Sequence, residues 1–347
     1  ITMTTMNLLD FVNLRADAER RDLTTNAMAM DEDGTVFDFF GGQDDLTNKV
    51  LRHVSSAFAE DPVRVLRVAR FLARFGAEWT VADETMILMS EMTEKGMLDN
   101  LTAERVWSET SKALAEQTPR LFFDMLDAVG ALEVLFPELH KMKTVEENTR
   151  WHPEGNTYEH TMLVITAARK LTDDLNVMFA ALTHDFGKTK TDPALYPKHH
   201  GHENVGVKVV GAFADRLKVP ANMKRDAMVV SRYHMHMHKL DQLRAKTVVK
   251  MFDGLGAFNN PNVVNVLLLV GKADARGKMG FEKTNVIHLD TLTDMFGAVQ
   301  SVKFMDLVAE KGRQDNVPKG EGAANLMREG RAAAVATVRR ATQTIGM

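Results

Sequence analysis

The spacing of apolar residues changes near residue 45 of the chain. Before it, two β-prone runs, 23–30 and 35–39, flank Asp31–Gly34, and the pair Asp33-Gly34 between such runs predicts a β-hairpin. After it, apolar residues recur at helical spacing, and breakers such as Val219-Pro220 separate the segments. One further helix is predicted to begin at Thr118-Pro119, and the others cover 62–75, 102–114, 157–171, 174–183, 203–218, 221–237, 245–254, 260–275, 287–309 and 322–344. The pattern predicts a mainly α protein with a small β-containing start.

Composition narrows the class of protein. The chain has 347 residues, of which 45% are apolar and 26% charged, as in a globular protein of two or three domains. No stretch of about 18 apolar residues predicts a membrane span, and the first residues show no secretory signal. The absence of cysteine excludes disulfides and thiolate chemistry. We therefore expect a cytoplasmic protein that does not contact the membrane.

Charge and histidine are unevenly distributed. Residues 1–145 carry 15 Lys and Arg against 25 Asp and Glu, whereas residues 146–347 carry 28 against 22. This distribution differs from that of a uniformly basic nucleic-acid binder. Nine of the 12 histidines lie between His152 and His238, which indicates a separate domain over about 150–290.

A stripe of arginines marks the helix that begins after Asp61. Arg64, Arg67, Arg70 and Arg74 follow one another at intervals of 3, 3 and 4, so they share one face. Asp61 and Arg64 together offer an acceptor and a planar donor fork to the edge of a base, and the other arginines can meet phosphates. The alternative is a solvated charged face, although the use of arginine without lysine favours bidentate recognition.

Three clusters occur in order around this helix: Arg20-Arg21-Asp22-x-x-x-Asn26-Ala27, then Asp38…Gly42…Asp45-Leu46, then Glu60-Asp61-x-x-Arg64. Their order and spacing resemble the motifs of class II tRNA nucleotidyltransferases, the CCA-adding enzymes. The resemblance implies that the first cluster contacts ribose and triphosphate and that the second is a hinge. It implies that Asp61 and Arg64 pair with the Watson–Crick edges of CTP and ATP. Glu104-Arg105 matches a further motif of the family's neck.

One departure from this family concerns the residues before Arg20. The family has a Gly-Gly-x-x-Arg-Asp turn and an Asp-x-Asp pair there, which hold the two metal ions of the transfer step. Residues 1–19 match neither motif. Transfer by the chain as given is therefore in question, and two explanations stay open. Either an upstream or separate head segment supplies these residues, or the transfer activity has been lost.

The histidine-rich segment contains the residue types of a metal site. His160, the pair His184-Asp185, and Asp274 come from separate predicted helices, and imidazole and carboxylate ligands can hold a divalent ion that leaves positions open for water. Gly187 can supply a distorted helix end that lets adjacent His184 and Asp185 reach one ion. Lys188 follows, placed to meet a phosphate oxygen and to act with His184 and Asp185 in catalysis.

The segment Leu182-Thr-His-Asp-Phe-Gly-Lys188 closely resembles the signature of the HD phosphohydrolase superfamily. This resemblance implies that His202 and His234 bind a second metal or substrate phosphate. Six further histidines are interpreted as surface or capping residues: His53, His140, His152, His236, His238 and His288. His199 and His200 lie in the loop 197–202.

Together these observations predict four regions: the C-terminal part of a nucleotidyltransferase head (1–46), a helical neck and body (47–145), an HD domain (146–290) and a helical tail (291–347). The resemblance implies addition or repair of the tRNA CCA end with Mg²⁺. It also implies hydrolysis of 2′,3′-cyclic phosphates and nucleotide 2′- or 3′-phosphates with Ni²⁺ or a similar ion. The expected partners are tRNA, CTP and ATP, and a homodimer stays open. The alternatives are an HD phosphohydrolase only and a non-catalytic tRNA-binding body. Bacterial poly(A) polymerases share the head motifs, but the HD body argues against them.

Overall fold

Helices dominate the chain in a computed structural model that describes residues 8–311 and 317–345. The backbone divides into two compact units. The first comprises residues 1–141 and 216–218, and the second comprises 142–215 and 219–347. The predicted mainly α class is confirmed.

The strands of the first unit are short. β1 (Met28–Met30) and β2 (Val36–Asp38) form the predicted antiparallel hairpin. β3 (Val50–Leu51) pairs in parallel with β4 (Thr80–Val81), beyond the region that the sequence indicated as β-like. Two residues are too few to show an alternating pattern, and the pairing depends on hydrogen bonds between residues about 30 positions apart, such as Thr80 N to Lys49 O at 3.0 Å.

Within the part of the first unit that the structure describes, from residue 8 onward, eight helices accompany these strands: α1 (Leu8–Glu19), α2 (Gly42–Asn48), α3 (Val63–Phe75), α4 (Asp83–Glu94), α5 (Ala103–Ala115), α6 (Arg120–Ala128), α7 (Ala131–Leu135) and α8 (Pro137–Met142). The sequence did not predict α1, because its apolar residues do not gather on one face. Asp38 accepts from Gly42 N and Gln43 N, each at 2.8 Å, and so caps α2 from the preceding strand.

α3 is the central element of the first unit. Its side chains Val65, Leu66, Val68 and Ala69 are fully buried, and the helix packs against α5 and α6. Asp61 Oδ1 accepts from Val63 N at 3.3 Å at its start, and Gly76 adopts a φ of 91° after its end. The helix therefore ends where the glycine indicated, and its outer face carries Arg64, Arg67 and Arg74, whereas Arg70 is buried.

The described residues of the second unit form nine helices: α9 (Thr157–Leu171), α10 (Leu175–Thr183), α11 (His202–Arg216), α12 (Ala221–Met237), α13 (Ala245–Leu255), α14 (Asn262–Arg276), α15 (Thr291–Gln300), α16 (Phe304–Glu310) and α17 (Glu321–Ile345). The single helix predicted over 287–309 is wrong. Lys303 has extended backbone between α15 and α16, and residues 287–290 form a 3₁₀ turn.

α10 lies at the centre of the second unit. Residues 177–183 are all buried, and α9, α12 and α14 pack around them. A helix that is apolar on every side is stable only when covered in this way. This packing brings α9, α12 and α14 close to the end of α10. No helix in the described residues is both long and apolar enough to cross a bilayer.

Candidate nucleotide cleft and metal centre

The outer face of α3 borders a cleft of about 830 Å³. Six of the eight residues that the sequence assigned to nucleotide binding line it: Arg21, Asp22, Asn26, Asp61, Arg64 and Arg67. Glu104 and Arg105, at the start of α5, line it as well. Residues far apart in sequence thus face one space in the first unit.

Asp22 organises one side of this cleft. It is buried, and its Oδ2 accepts a 2.7 Å hydrogen bond from Arg67 Nε. Its Oδ1 accepts from Asn26 Nδ2 at 3.1 Å. Arg21 donates to Asp17 Oδ2 at 2.8 Å and to Asn26 O at 3.0 Å. These bonds hold two guanidinium groups at the cleft wall.

Asp61 and Arg64 lie one turn apart at the start of α3. Arg105 donates to Asp61 Oδ2 at 2.7 Å, which ties α5 to the start of α3. Arg64 donates to the carbonyl oxygens of Ala57 and Arg20. Two of the five guanidinium donors of Arg64 are used in this way, and the Asp61 carboxylate has further lone pairs, so both groups can bind an additional polar partner.

Two of the assigned arginines do not line the cleft. The Arg20 side chain is exposed and lies 3.5 Å from Glu60 Oε2. Arg70 is buried, donates to Glu109 Oε2 and places its guanidinium over the ring of Phe71. The basic stripe therefore contains a residue whose charge is neutralised inside the unit.

Imidazoles and carboxylates converge at the end of α10 in the second unit. Asp185 Oδ2 lies 3.3 Å from His184 Nε2, and Asp185 Oδ1 lies 3.3 Å and 3.4 Å from the Nε2 atoms of His202 and His234. His160 Nε2 lies 3.2 Å from Oδ1 of Asp274. All the metal and second-site residues that the sequence assigned are buried in this cluster: His160, His184, Asp185, His202, His234 and Asp274.

The hydrogen bonds of these histidines fix which nitrogen faces the cluster. In His184, His202 and His234, Nδ1 lies 2.7 Å from a backbone carbonyl oxygen three residues earlier in the chain. His160 Nδ1 lies 3.0 Å from Gly277 O. Because a carbonyl can only accept, each Nδ1 carries a proton, and Nε2 is the nitrogen that faces the cluster.

The cluster fits a cation. His184 Nε2 and Asp185 Oδ1 are buried without a hydrogen-bond partner in the described part of the chain. The Nε2 atoms of His202 and His234 are 3.2 Å apart, and each also lies close to Asp185 Oδ1. The assigned residues fall into two groups of potential ligands: His160, His184 and Asp274 on one side, and Asp185, His202 and His234 on the other. A further group in the described residues joins His160 to His152 and Glu154. An unpaired buried polar group is costly unless an ion compensates it.

The carboxylates of the cluster are ionised. Burial alone would raise the pKa of Asp185, but the charge of Lys188 and the neighbouring His184 hold that pKa well below its usual range. Burial opposes ionisation of Asp274 in the same way, and His238 and His160 hold its pKa well below the usual range. Both groups are thus in the form that binds metal.

Gly187 brings the end of α10 against the start of α11. A Cβ at this position would lie 2.0 Å from His202 O and 2.7 Å from Gly206 N. The sequence interpreted Gly187 as the residue that ends the helix, but α10 ends at Thr183 and Gly187 sits in a 3₁₀ turn. Its role is to permit the approach that places Asp185 beside His202.

Lys188 is held within the site rather than projecting freely. Its Nζ lies 2.8 Å from Asp185 Oδ2 and donates to Glu147 Oε1 at 2.7 Å. Burial lowers the pKa of Lys188, and the two carboxylates more than offset that effect and raise it above its usual value. The lysine therefore remains charged and orients Asp185, while it lines a cleft of about 620 Å³ above the cluster.

Several residues of this cleft were not assigned from the sequence, among them three titratable ones. His152 and His238, interpreted as surface or capping residues, line it together with Glu147. His238 Nε2 lies 2.9 Å from Asp274 Oδ2, and His152 Nδ1 lies 3.0 Å from Oε1 of Glu154, whose side chain is only 1% exposed. The sequence signal for these residues was the polar stretch 147–154 directly before α9. Because proline and glycine occur there, the sequence analysis interpreted it only as a break between helices.

Known families match successive parts of the chain. Residues 3–52 match the family model of the poly A polymerase head domain, and residues 79–143 match that of the probable RNA and SrmB-binding site of polymerase A. Residues 157–257 match the model of the HD domain. The multifunctional CCA protein of Pasteurella multocida (strain Pm70) is 44% identical over 312 residues, which cover 88% of this chain and 74% of that protein. The chain belongs to the family of multifunctional CCA proteins. The resemblance noted from the three clusters and the HD signature is confirmed.

Solved structures support the fold. A CCA-adding enzyme in complex with CTP has a TM-score of 0.60 at 18% identity, with 94% of this chain and 69% of that chain covered. The Thermotoga maritima CCA-adding enzyme complexed with tRNA has a TM-score of 0.53 at 18% identity, with 92% and 74% covered. At this identity the likeness establishes that the chain has the CCA-adding enzyme fold.

Proposed function

We propose that the chain adds or repairs the CCA end of tRNA, with CTP and ATP as substrates. The observation that carries the proposal is the placement of Asp61 and Arg64 one turn apart in the cleft that also contains Arg21, Asn26 and Arg67. Family membership supports it, as does the likeness to a CCA-adding enzyme solved with CTP.

Asp61 and Arg64 have the chemistry to select these two nucleotides. Cytosine and adenine each present an amino donor beside a ring nitrogen that accepts. A carboxylate can accept a hydrogen bond from the amino group while a guanidinium donates one to the ring nitrogen. Uracil and guanine present a carbonyl oxygen in place of that amino group, and the carboxylate repels this oxygen. Arg21 and Arg67 are the proposed partners of the triphosphate, and Arg20 and Arg70 would join only after a rearrangement.

Incorporation into tRNA that lacks CCA tests this proposal. Arg64→Ala should abolish the preference for CTP and ATP over UTP and GTP. Arg74→Ala, an exposed position of the same helix outside the cleft, is the matched control. Because residues 1–19 match neither metal motif, the assay is run with Mg²⁺ on the chain alone and with an added head segment that carries an Asp-x-Asp pair. Unchanged selectivity in Arg64→Ala would overturn the assignment.

We propose further that the second unit is a metal-dependent phosphohydrolase for 2′,3′-cyclic phosphates and nucleotide 2′- or 3′-phosphates. His160, His184, Asp185 and Asp274 would hold one divalent ion, and His202 and His234 would join Asp185 at a second. Imidazole-rich sites suit Ni²⁺ and its neighbours in the transition series. A bound ion supplies a water of lowered pKa for attack on phosphorus. Lys188 keeps the Asp185 carboxylate in place for this chemistry.

Chelation and metal replacement test the second activity. Hydrolysis of 2′,3′-cyclic AMP should disappear after treatment with a chelator and return with Ni²⁺ or another transition ion, and metal analysis should give one or two ions per chain. Failure of every divalent ion to restore hydrolysis would remove the phosphohydrolase assignment.

Two other functions remain alternatives: a phosphohydrolase without transfer activity, and a tRNA-binding body without catalysis. Cyclic phosphate hydrolysis without nucleotide incorporation would favour the first, and tRNA binding without either activity would favour the second. We place the protein in the cytoplasm, which fits a tRNA substrate. A homodimer is a further proposal that light scattering tests.

A further inference from the structure

Trp151 stands exposed at the cleft above the metal-binding cluster. The residue is 55% exposed although its indole ring is largely apolar, and it lines the cleft of the second unit. Burial of an aromatic ring stabilises a fold, and an indole left exposed at a cleft does without this contribution. Such a ring is available to bind a ligand.

The turn that carries Trp151 is well ordered by hydrogen bonds. Trp151 N and His152 N donate to Asn148 O at 2.9 Å and 2.8 Å, and Arg150 N donates to Asn148 Oδ1 at 3.0 Å. The Arg150 guanidinium lies 5.0 Å from the centre of the indole ring. The ring is thus presented from a fixed turn, with a cation to orient it.

The lining of this cleft combines two kinds of chemistry. The cluster side is polar and includes Lys278 and the metal-binding groups. Another part is apolar and is formed by Trp151, Pro197 and Met235, a residue that is 39% exposed. A ligand that complements both parts carries an anionic phosphate at one end and a flat apolar ring at the other. The volume of about 620 Å³ lies in the usual range for small-molecule sites.

We propose that Trp151 stacks on the nucleobase of a nucleoside 2′,3′-cyclic phosphate or phosphomonoester whose phosphate reaches the metal centre. The proposal rests on the phosphohydrolase function proposed above and adds the residue that makes it selective for nucleotides. Stacking on an indole accepts any base, because every base has a π face. The site should therefore discriminate weakly between bases and strongly against phosphodiesters that lack a base.

A pair of substrates with the same reacting group tests this selectivity. 2′,3′-Cyclic AMP carries a base, whereas glycerol 1,2-cyclic phosphate has the same five-membered cyclic diester without one. Trp151→Ala should raise KM for the nucleotide by about 5- to 100-fold, the range expected for loss of one base–aromatic stack. Trp151→Phe should restore most of the affinity, and both variants should hydrolyse the glycerol compound like the parent chain with unchanged metal content.

Binding is measured separately from hydrolysis. The chain has three tryptophans, so the difference in fluorescence quenching between the parent chain and Trp151→Phe reports on Trp151. The nucleotide should quench this component, and glycerol 1,2-cyclic phosphate should not. A short RNA that ends in a 2′,3′-cyclic phosphate is titrated beside the mononucleotide. The comparison identifies whether the ligand is a free nucleotide or the end of an RNA, and quenching by either supports stacking.

The outcomes separate this inference from the proposed function. Equal loss of activity on both substrates in Trp151→Ala, or no quenching by any nucleotide, would overturn the role of Trp151 while the hydrolase stands. Absence of hydrolysis in the metal-loaded parent chain, together with specific quenching by the nucleotide, would remove the phosphohydrolase function and support the stacking site.

Discussion

Arg70 Nε donates a 2.6 Å hydrogen bond to Glu109 Oε2, and the side chains are only 9% and 7% exposed. The pair joins α3 to α5 beneath the nucleotide cleft, and Lys112 donates to the other oxygen of the same carboxylate. Arg70 has the spacing of a phosphate-binding residue but serves as an internal tie. Its neighbour Arg67 on the same helix reaches the cleft instead.

Glu109→Gln should destabilise the first unit. The substitution keeps the shape of the side chain but leaves the buried Arg70 charge without its main partner. We expect a loss of about 3 kcal/mol, at the lower end for broken buried pairs, because Glu116 lies 3.6 Å from Arg70 and compensates in part. Urea denaturation followed by circular dichroism measures it. Glu91→Gln, in the exposed pair with Lys95, is the control and should cost less than about 1 kcal/mol.

The same pair predicts a pH dependence. Burial raises the pKa of Glu109, and the hydrogen bonds from Arg70 and Lys112 more than offset it, so the pKa lies below its usual value. A carboxyl group whose pKa is lower in the folded than in the unfolded state stabilises the protein at pH values above its unfolded pKa, about 4.3. This stabilisation is lost as the pH falls through the pKa of the folded state. The stability difference between the parent chain and Glu109→Gln should be constant from about pH 7 to 5 and shrink below about 4. A difference undiminished at pH 3 would refute the ion pair as its source.

Helices with local boundary signals were predictable from sequence. α9 and α12 have the predicted bounds, because Asn156 caps the first by accepting from Glu159 N at 2.9 Å and Pro220 precedes the second. The β3–β4 pair and the break before α16 have no such signal, since they depend on contacts between distant residues or on the backbone at Lys303.

The candidate sites were predictable where residue type alone determines the chemistry. The imidazoles and carboxylates of the HD signature cluster as their types indicated. The roles of His238 and Arg70 could not be read from the pattern, because they depend on what each side chain faces: Asp274 in one case and Glu109 in the other. Periodicity places a residue on a helix face, but it does not show whether that face meets solvent or an acidic partner.

Gly187→Ala should damage the metal centre without removing a ligand. The added Cβ would meet the backbone of His202, which cannot move aside as a flexible side chain can. Asp185 and His202 should then separate. We expect metal affinity to fall by about tenfold or more, as when outer partners of metal ligands are changed. Isothermal titration with Ni²⁺ measures this.

Gly297→Ala is the matched control for this substitution. Its Cβ would meet no atom within 4 Å, and the residue lies inside α15. Alanine should therefore leave metal binding unchanged and stabilise the helix by up to about 1 kcal/mol. Equal metal affinity in both variants would contradict the role assigned to Gly187.

His184→Ala should separate the two proposed activities. Its Nε2 is buried without a hydrogen-bond partner in the described residues and faces the cluster, so the substitution removes a proposed ligand, whereas the arginine cleft belongs to the other unit. Hydrolysis of 2′,3′-cyclic AMP should fall to the level of the metal-free protein, and nucleotide incorporation into tRNA by the same preparation should not change. His288→Ala, at an exposed histidine, is the control and should leave both unchanged. Hydrolysis retained in His184→Ala would refute the metal assignment, because an ion held by the remaining ligands alone would then suffice for the chemistry.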